Sequence, residues 1–290
     1  MRTEQEIIRQ VLDWANADPD IRAVVRTDLV PVRDYLYQYN FYFITDRADR
    51  YDDVAFATCF GERILLYRGD RNYPEMFGGV KAHLMVFRDG VTMAVYLATA
   101  EQFLREFAGE VSHENVWMGR SCRKLLDKDG LLPEIDRSAD SQMIFTDRPT
   151  AEAFDGTCAE FFWVLKTYAE YVLRDELPAA MFYLNVSVRD MLNRMIRWLI
   201  GMENGFRVEL GILDSYFSRY LSEELYGLYR ATYPTAEEES LWAAYDAMAR
   251  LFHIAAAKIA DRLGFVYPRE MERNMLDFME RLRAAATRRE

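Results

Sequence analysis

Few residues of this 290-residue sequence have the types and spacing that chemistry asks for. His83, His113 and His253 are the only histidines, and no two stand at the HxxxH spacing of a metal pair. Each reads as an ordinary packing or surface residue. Cys59, Cys122 and Cys158 are far apart and form no CxxC. They read as buried free thiols in a reducing compartment, which predicts a cytoplasmic protein without a disulfide framework. The stretch "YQYNFYFITD" (37–46) has the aromatic and β-branched texture of a strand. The two-residue period of a strand puts Gln38 and Asn40 on one face. Their amide oxygens can ligate a cation, but they carry no charge, so a divalent ion would be held weakly. "LRDELP" (173–178) offers the carboxylates Asp175 and Glu176, whose plain reading is a solvated helical charge run with Arg174 pairing locally.

The elements that would position these residues fall into two textures. In the first, Thr3 and Glu6 have capping-box spacing, and Ile7, Ile8, Val11, Leu12 and Ala15 follow on one helical face. Strands are expected at "IRAVVR" (21–26), "YNFYFITD", "RILLYR" (63–68), "AHLMVFR" (82–88) and "TMAVYLA" (92–98). Asp89-Gly90 is a hairpin turn between the last two, and Thr99 with Gln102 opens a helix. Residues 121–150 read as shorter elements and loops. From about residue 151 only helical spacing remains. Leu184, Val188, Leu192, Met195 and Leu199 form one buried stripe, with Asn185, Arg189, Asn193 and Arg197 on a more polar face. Pro234-Thr235 followed by Glu238 starts a helix that turns Trp242, Tyr245, Met248, Ala249 and Phe252 inward, and a last amphipathic helix covers 269–285. The expectation is an α+β fold: a sheet-containing domain at 1–150 and an all-helical bundle at 151–290.

The totals narrow the partners. A net charge of -11 argues against nucleic acid, whose phosphates need a basic surface, and suits either a cationic partner or plain solubility. No apolar run approaches a membrane span, and "MRTEQEIIRQ" has no apolar signal core.

Several segments in fixed order resemble the aminoglycoside 6-adenylyltransferases, the streptomycin-modifying branch of the nucleotidyltransferase superfamily. They are "MRTEQEI", "IRAVV", "YFITD", "FGERI", "HLMVFRDG" and "LLDKDG" in the first half. The second half adds "EFFWVLKTYAEYVLRDELPAA", "VRDMLNRMIRWLIGMENGF", "YLSEELYGLYRATYP" and "LGFVYP". The likeness spans nearly the whole chain. It implies a nucleotidyltransferase-type mixed sheet flanked by helices, a helical bundle behind it, and transfer of AMP from Mg-ATP to a streptomycin hydroxyl.

That chemistry needs negative charge neutralised at a phosphoryl centre, which the family does with carboxylate-held Mg²⁺. Here the family's Asp-x-Asp pair falls on Gln38 and Asn40 if one residue is deleted before "ITD", or on Tyr37 and Tyr39 without the gap. Its third carboxylate falls on Ala94. Its Gly-Ser phosphate loop falls on Asp28 and Leu29, followed by Pro31. Two basic residues of the second half fall on Ile212 and Ser215. The carboxylates Asp34, Asp46 and Asp52 are the displaced candidates for an active site, and Asp46 lies roughly 20 Å along the strand from the family position. Asp89 belongs to the turn. For the ligand, the resemblance offers Glu176, then Asp175, which could pair with the guanidinium groups of streptomycin, and also Glu160 and Lys166. The expectation is therefore a family member without catalytic residues, without a bound metal or other cofactor, keeping a cleft between its two domains for an aminoglycoside or another cationic or polar small molecule. The alternatives are an active nucleotidyltransferase using Mg, ATP and displaced carboxylates, and an interaction protein with a filled cleft.

Overall fold

The computed structural model describes residues 2–28, 38–51, 56–72, 79–107, 121–135 and 146–286. The chain divides into two compact units, Met1–Met143 and Ile144–Glu290.

The first unit carries a six-stranded mixed sheet in the order β3-β4-β5-β2-β1-β6. The strands are β1 (Ala23–Asp28), β2 (Gln38–Ile44), β3 (Arg63–Arg68), β4 (Lys81–Phe87), β5 (Thr92–Ala98) and β6 (Ser121–Asp127). β2 and β5 run parallel, and every other neighbouring pair is antiparallel. Within 121–150, read as shorter elements and loops, the described residues hold one strand, β6. Its alternation is blurred by the charged residues of "SCRKLLD", and its pairing with β1 is non-local, so no short window reveals it.

Helix α1 (Glu4–Ala17) starts in a complete capping box. Thr3 Oγ1 accepts from the Glu6 amide, and the Thr3 amide donates to Glu6 Oε2 at 2.7 Å. Its apolar face, Ile7, Val11 and Ala15, packs on one side of the sheet with Val24, Phe41, Phe43, Met93 and Val95. The opposite side is covered at Ala23, Val25, Tyr42, Ile44 and Ala98 by Phe103 of α3. The short α2 (Gly69–Asn72) follows β3, and α3 (Ala100–Phe107) begins where Thr99 and Gln102 exchange hydrogen bonds. The β4–β5 turn is made at Asp89-Gly90, with Gly90 at φ 85° where a side chain would be strained. Asp89 itself is held by Arg2 Nε at 2.8 Å and accepts from the Val91 amide at 3.3 Å.

The second unit is helical: α4 (Ala151–Leu173), α5 (Leu177–Phe182), α6 (Arg189–Glu203), α7 (Phe217–Tyr220), α8 (Glu223–Ala231), α9 (Glu238–Leu263) and α10 (Arg269–Ala286). A π-helical turn, Tyr183–Val188, joins α5 to α6. The stripe Leu184, Val188, Leu192, Met195 and Leu199 is completely buried. It meets α4 and α9, where Phe161 and Phe252 stack with centroids 3.7 Å apart. Helix α9 starts at Glu238 as its sequence indicates, although Thr235 is not its cap; the Thr235 amide instead donates to Ser240 Oγ at 2.9 Å. No helix of the described residues is long and apolar enough to cross a membrane.

Candidate functional site

The sheet brings three of the sequence-marked positions together. Asn40 on β2 sits in register with Ala94 on the parallel strand β5 and with Thr27 on β1. Thr27 is in turn in register with Cys122 on β6, and Ala94 with Leu84 on β4. Residues opposite one another share a face, so Cys122, Thr27, Asn40, Ala94 and Leu84 form one row across five strands. Gln38 lies two residues along β2, on the same face and opposite Thr92. Tyr39 belongs to the other face, where it packs on the α1 side of the core. Gln38 and Asn40 thus share a face with Ala94, and Tyr39 does not. Tyr37 lies outside the described residues.

This row contains no carboxylate. Asn40 is buried, and its Oδ1 accepts from Gln38 Nε2 at 2.8 Å while its Nδ2 donates to the Gln38 carbonyl at 3.1 Å. The Asn40 amide is thus engaged at both ends, by the Gln38 side chain and by the Gln38 backbone. Ala94 is fully buried and has no ligand atom. Mg²⁺ demands octahedral hard oxygens and is usually held by one or two carboxylates. A neutral amide pair, with one oxygen already engaged, does not suit it. Among the described residues, no group of three or more His, Cys, Asp or Glu side chains could hold a metal ion.

The other carboxylates near this sheet are placed elsewhere. Asp28 ends β1 in register with Ser121, while Leu29, Asp34 and Asp52 lie outside the described residues. Asp46 is exposed beyond the end of β2. The Arg2 guanidinium and backbone N–H groups hold the Asp89 carboxyl below the usual aspartate range, in keeping with a turn residue. His83 is fully buried on β4 against the Phe56 ring, and His113 lies outside the described residues.

The helical candidates do not converge. Asp175 takes a left-handed conformation, φ 57°, at the end of α4; its amide bonds the Val172 carbonyl and the Glu176 amide bonds that of Tyr171. This closes the helix with the 6→1 pattern of a C-terminal cap, so "RDE" serves the turn. Glu176 then becomes the N-cap of α5 without a side-chain capping bond, and both carboxylates are exposed. Glu160 is exposed roughly 20 Å back along α4. Lys166 is engaged locally, with Glu170 Oε2 at 2.9 Å and the Trp163 ring at 4.9 Å. Ser215 sits in the loop before α7.

Two features escaped the sequence reading. The supposedly polar face of α6 is turned inward: Arg189 is buried, with Nη1 and Nη2 donating to Thr232 and its guanidinium 3.7 Å from the Tyr233 ring. Its spacing of four with Asn193 and Arg197 was legible, but not the partners that bury it. The second is a groove of about 550 Å³ between α9 and α10, lined among others by Trp242, Tyr245, Asp246, His253, Glu272 and Glu280. Glu272 accepts from His253 Nδ1 at 2.9 Å, and burial raises the Asp246 carboxyl above the usual range. Cys59 is exposed, which corrects its assignment as a buried thiol; Cys122 and Cys158 are buried.

The family model for streptomycin adenylyltransferase matches residues 1–282. An aminoglycoside 6-adenylyltransferase of Campylobacter jejuni is 30% identical over 279 residues, covering 92% of each chain. One from Bacillus subtilis is 28% identical, covering 92% of this chain and 94% of its own. A crystal structure of an aminoglycoside 6-adenyltransferase from Bacillus subtilis aligns over 97% of this chain and 98% of its own, at 24% identity and a TM-score of 0.45.

Proposed function

Because the chain belongs to the streptomycin adenylyltransferase family, we propose that it is a member deficient in nucleotidyl transfer that keeps the capacity to bind a small cationic or polar ligand, an aminoglycoside first among them. The observation that carries this reading is the Asn40–Ala94 pairing with Gln38 beside it. Those positions, which by resemblance would hold the metal carboxylates, present two neutral amides joined by a hydrogen bond and a methyl group. Without anionic oxygens there, the row has no charged ligand for a metal ion that would neutralise the charge developing on a transferring phosphoryl group. Loss of basic residues at Ile212 and Ser215, and of the Gly-Ser loop at Asp28 and Leu29, points the same way. The acidic net charge supports a cationic ligand; the α9–α10 groove is mixed, with Asp246, Glu272 and Glu280 alongside Arg250 and Arg283.

The test is calorimetric titration of the purified chain with Mg-ATP and, separately, with streptomycin, followed by an assay for AMP transfer. Binding of streptomycin without heat from Mg-ATP and without product is the expected result. Product formation would establish an active enzyme using displaced carboxylates. Silence with both ligands would overturn this reading and favour an interaction protein with a filled cleft.

A further inference from the structure

The loop before α7 is inverted in its burial. Leu213 is 79% exposed, whereas the side chain of its neighbour Asp214 is 2% exposed. Both residues adopt left-handed backbone, with φ 52° and 64°, a region that residues with a Cβ normally avoid. The loop is also tightly wound. Gly211 has φ 76°, and a Cβ there would fall 2.3 Å from Ser215 Oγ and 2.9 Å from the Tyr216 ring. Packing alone would bury the leucine and expose the aspartate.

What holds the inverted arrangement is a set of donors on α6. Arg197 Nε donates to Asp214 Oδ1 at 2.8 Å, and Arg197 Nη2 to Oδ2 at 2.8 Å. Asn193 Nδ2 adds a third bond to Oδ2 at 3.1 Å. Arg189, one turn before Asn193 on the same face, is buried, and its Nε has no hydrogen-bond partner among the described residues. A planar guanidinium fork with an adjoining amide donor, all mounted on one rigid helix, is the geometry that recognises a carboxylate or phosphate group. The acceptor is supplied by a strained segment that exposes an apolar side chain to remain there.

We propose that Asn193 and Arg197 form an oxyanion-binding site that Asp214 occupies from within, and that a phosphate or carboxylate group of a small molecule displaces Asp214 and releases the loop. The site lies wholly in the helical unit and does not depend on the reading of the sheet.

Two experiments on the full-length chain decide this. Leu213→Trp places an indole at the exposed loop position. At constant ionic strength, inorganic phosphate or acetate should shift its emission saturably, and the more effective of the two identifies a tetrahedral or planar anion. In the second, Asp214→Gly removes the internal carboxylate where the backbone already favours glycine. Calorimetry should then show phosphate or acetate binding at least tenfold tighter than in the unaltered chain, with the gain lost in Asp214→Gly/Arg197→Lys, because lysine has no fork. An emission spectrum of Leu213→Trp unmoved at 100 mM of either anion would overturn the proposal. So would a folded Asp214→Gly chain whose affinities stay within twofold of the original. If Asp214→Gly folds only when phosphate or acetate is supplied, the proposal stands.

Discussion

Asn40 and Ala94 face each other across two parallel strands, and Gln38 closes over Asn40 along the first. Strand pairing fixes this relationship, so a side chain placed at 94 must share its row with the amide of residue 40. The row is also buried, which makes it sensitive to charge.

Ala94→Asp should therefore be destabilising by about 3 kcal/mol, since a carboxylate would enter a buried position whose row holds no cation. Urea unfolding of the variant measures this. The triple variant Gln38→Asp/Asn40→Asp/Ala94→Asp should regain stability as Mg²⁺ is added, because clustered carboxylates then have a counter-ion. It should still fall short of full AMP transfer, because Asp28 and Leu29, which by resemblance stand where the family has its Gly-Ser loop, stay unchanged. Robust turnover would contradict that expectation.

Phe161 and Phe252 stack at the junction of α4 and α9, both fully buried. Phe252→Ala should cost about 4 kcal/mol through lost burial and the cavity left behind. A loss under about 1 kcal/mol by chemical denaturation would mean that this junction is not the core of the bundle.

Thiol reactivity should separate the three cysteines. Cys59 is exposed, while burial pushes the Cys158 thiol up to about 12, so its reactive thiolate is scarce at neutral pH. Mass spectrometry after brief treatment of the native protein with iodoacetamide should find one modified residue, Cys59. All three should react once the chain is unfolded.

Two aspartates should give opposite pH signatures. The folded-state pKa of Asp89 is lowered, chiefly by its hydrogen bond from Arg2. Its contribution is present above the unfolded aspartate value and is lost as pH falls through the folded one. Asp89→Asn should accordingly flatten the acid limb of stability against pH. Asp246 is raised by burial, so the folded state holds its proton more tightly and its contribution fades as pH rises through the folded value. Asp246→Asn should stabilise the protein at neutral pH relative to acid pH. Thermal midpoints across pH 3 to about 8 would test both.

Much of this molecule is written in short windows. The Thr3–Glu6 capping box, the strands 63–68 and 92–98, the Asp89-Gly90 turn and the stripe from Leu184 to Leu199 all depend on residues within a few positions of one another. Backbone sterics and the apolar period suffice to specify them. The family likeness was equally legible, because it lies in the order of many such segments. So was the lack of carboxylates at 38, 40 and 94.

Tertiary structure decided what depends on partners distant in sequence. Strand β6 exists because β1 offers it an edge, and the row from Cys122 to Leu84 exists because β2 lies between β1 and β5. The spacing of Arg189, Asn193 and Arg197 marks one helical face, but a polar face points to water unless something polar covers it. Here Asp214 and Thr232 cover it. The sequence alone determined which side chains are present and which local elements carry them; whether a charge is solvated, paired or buried was decided by long-range packing, because desolvation is a property of the surroundings and not of the residue.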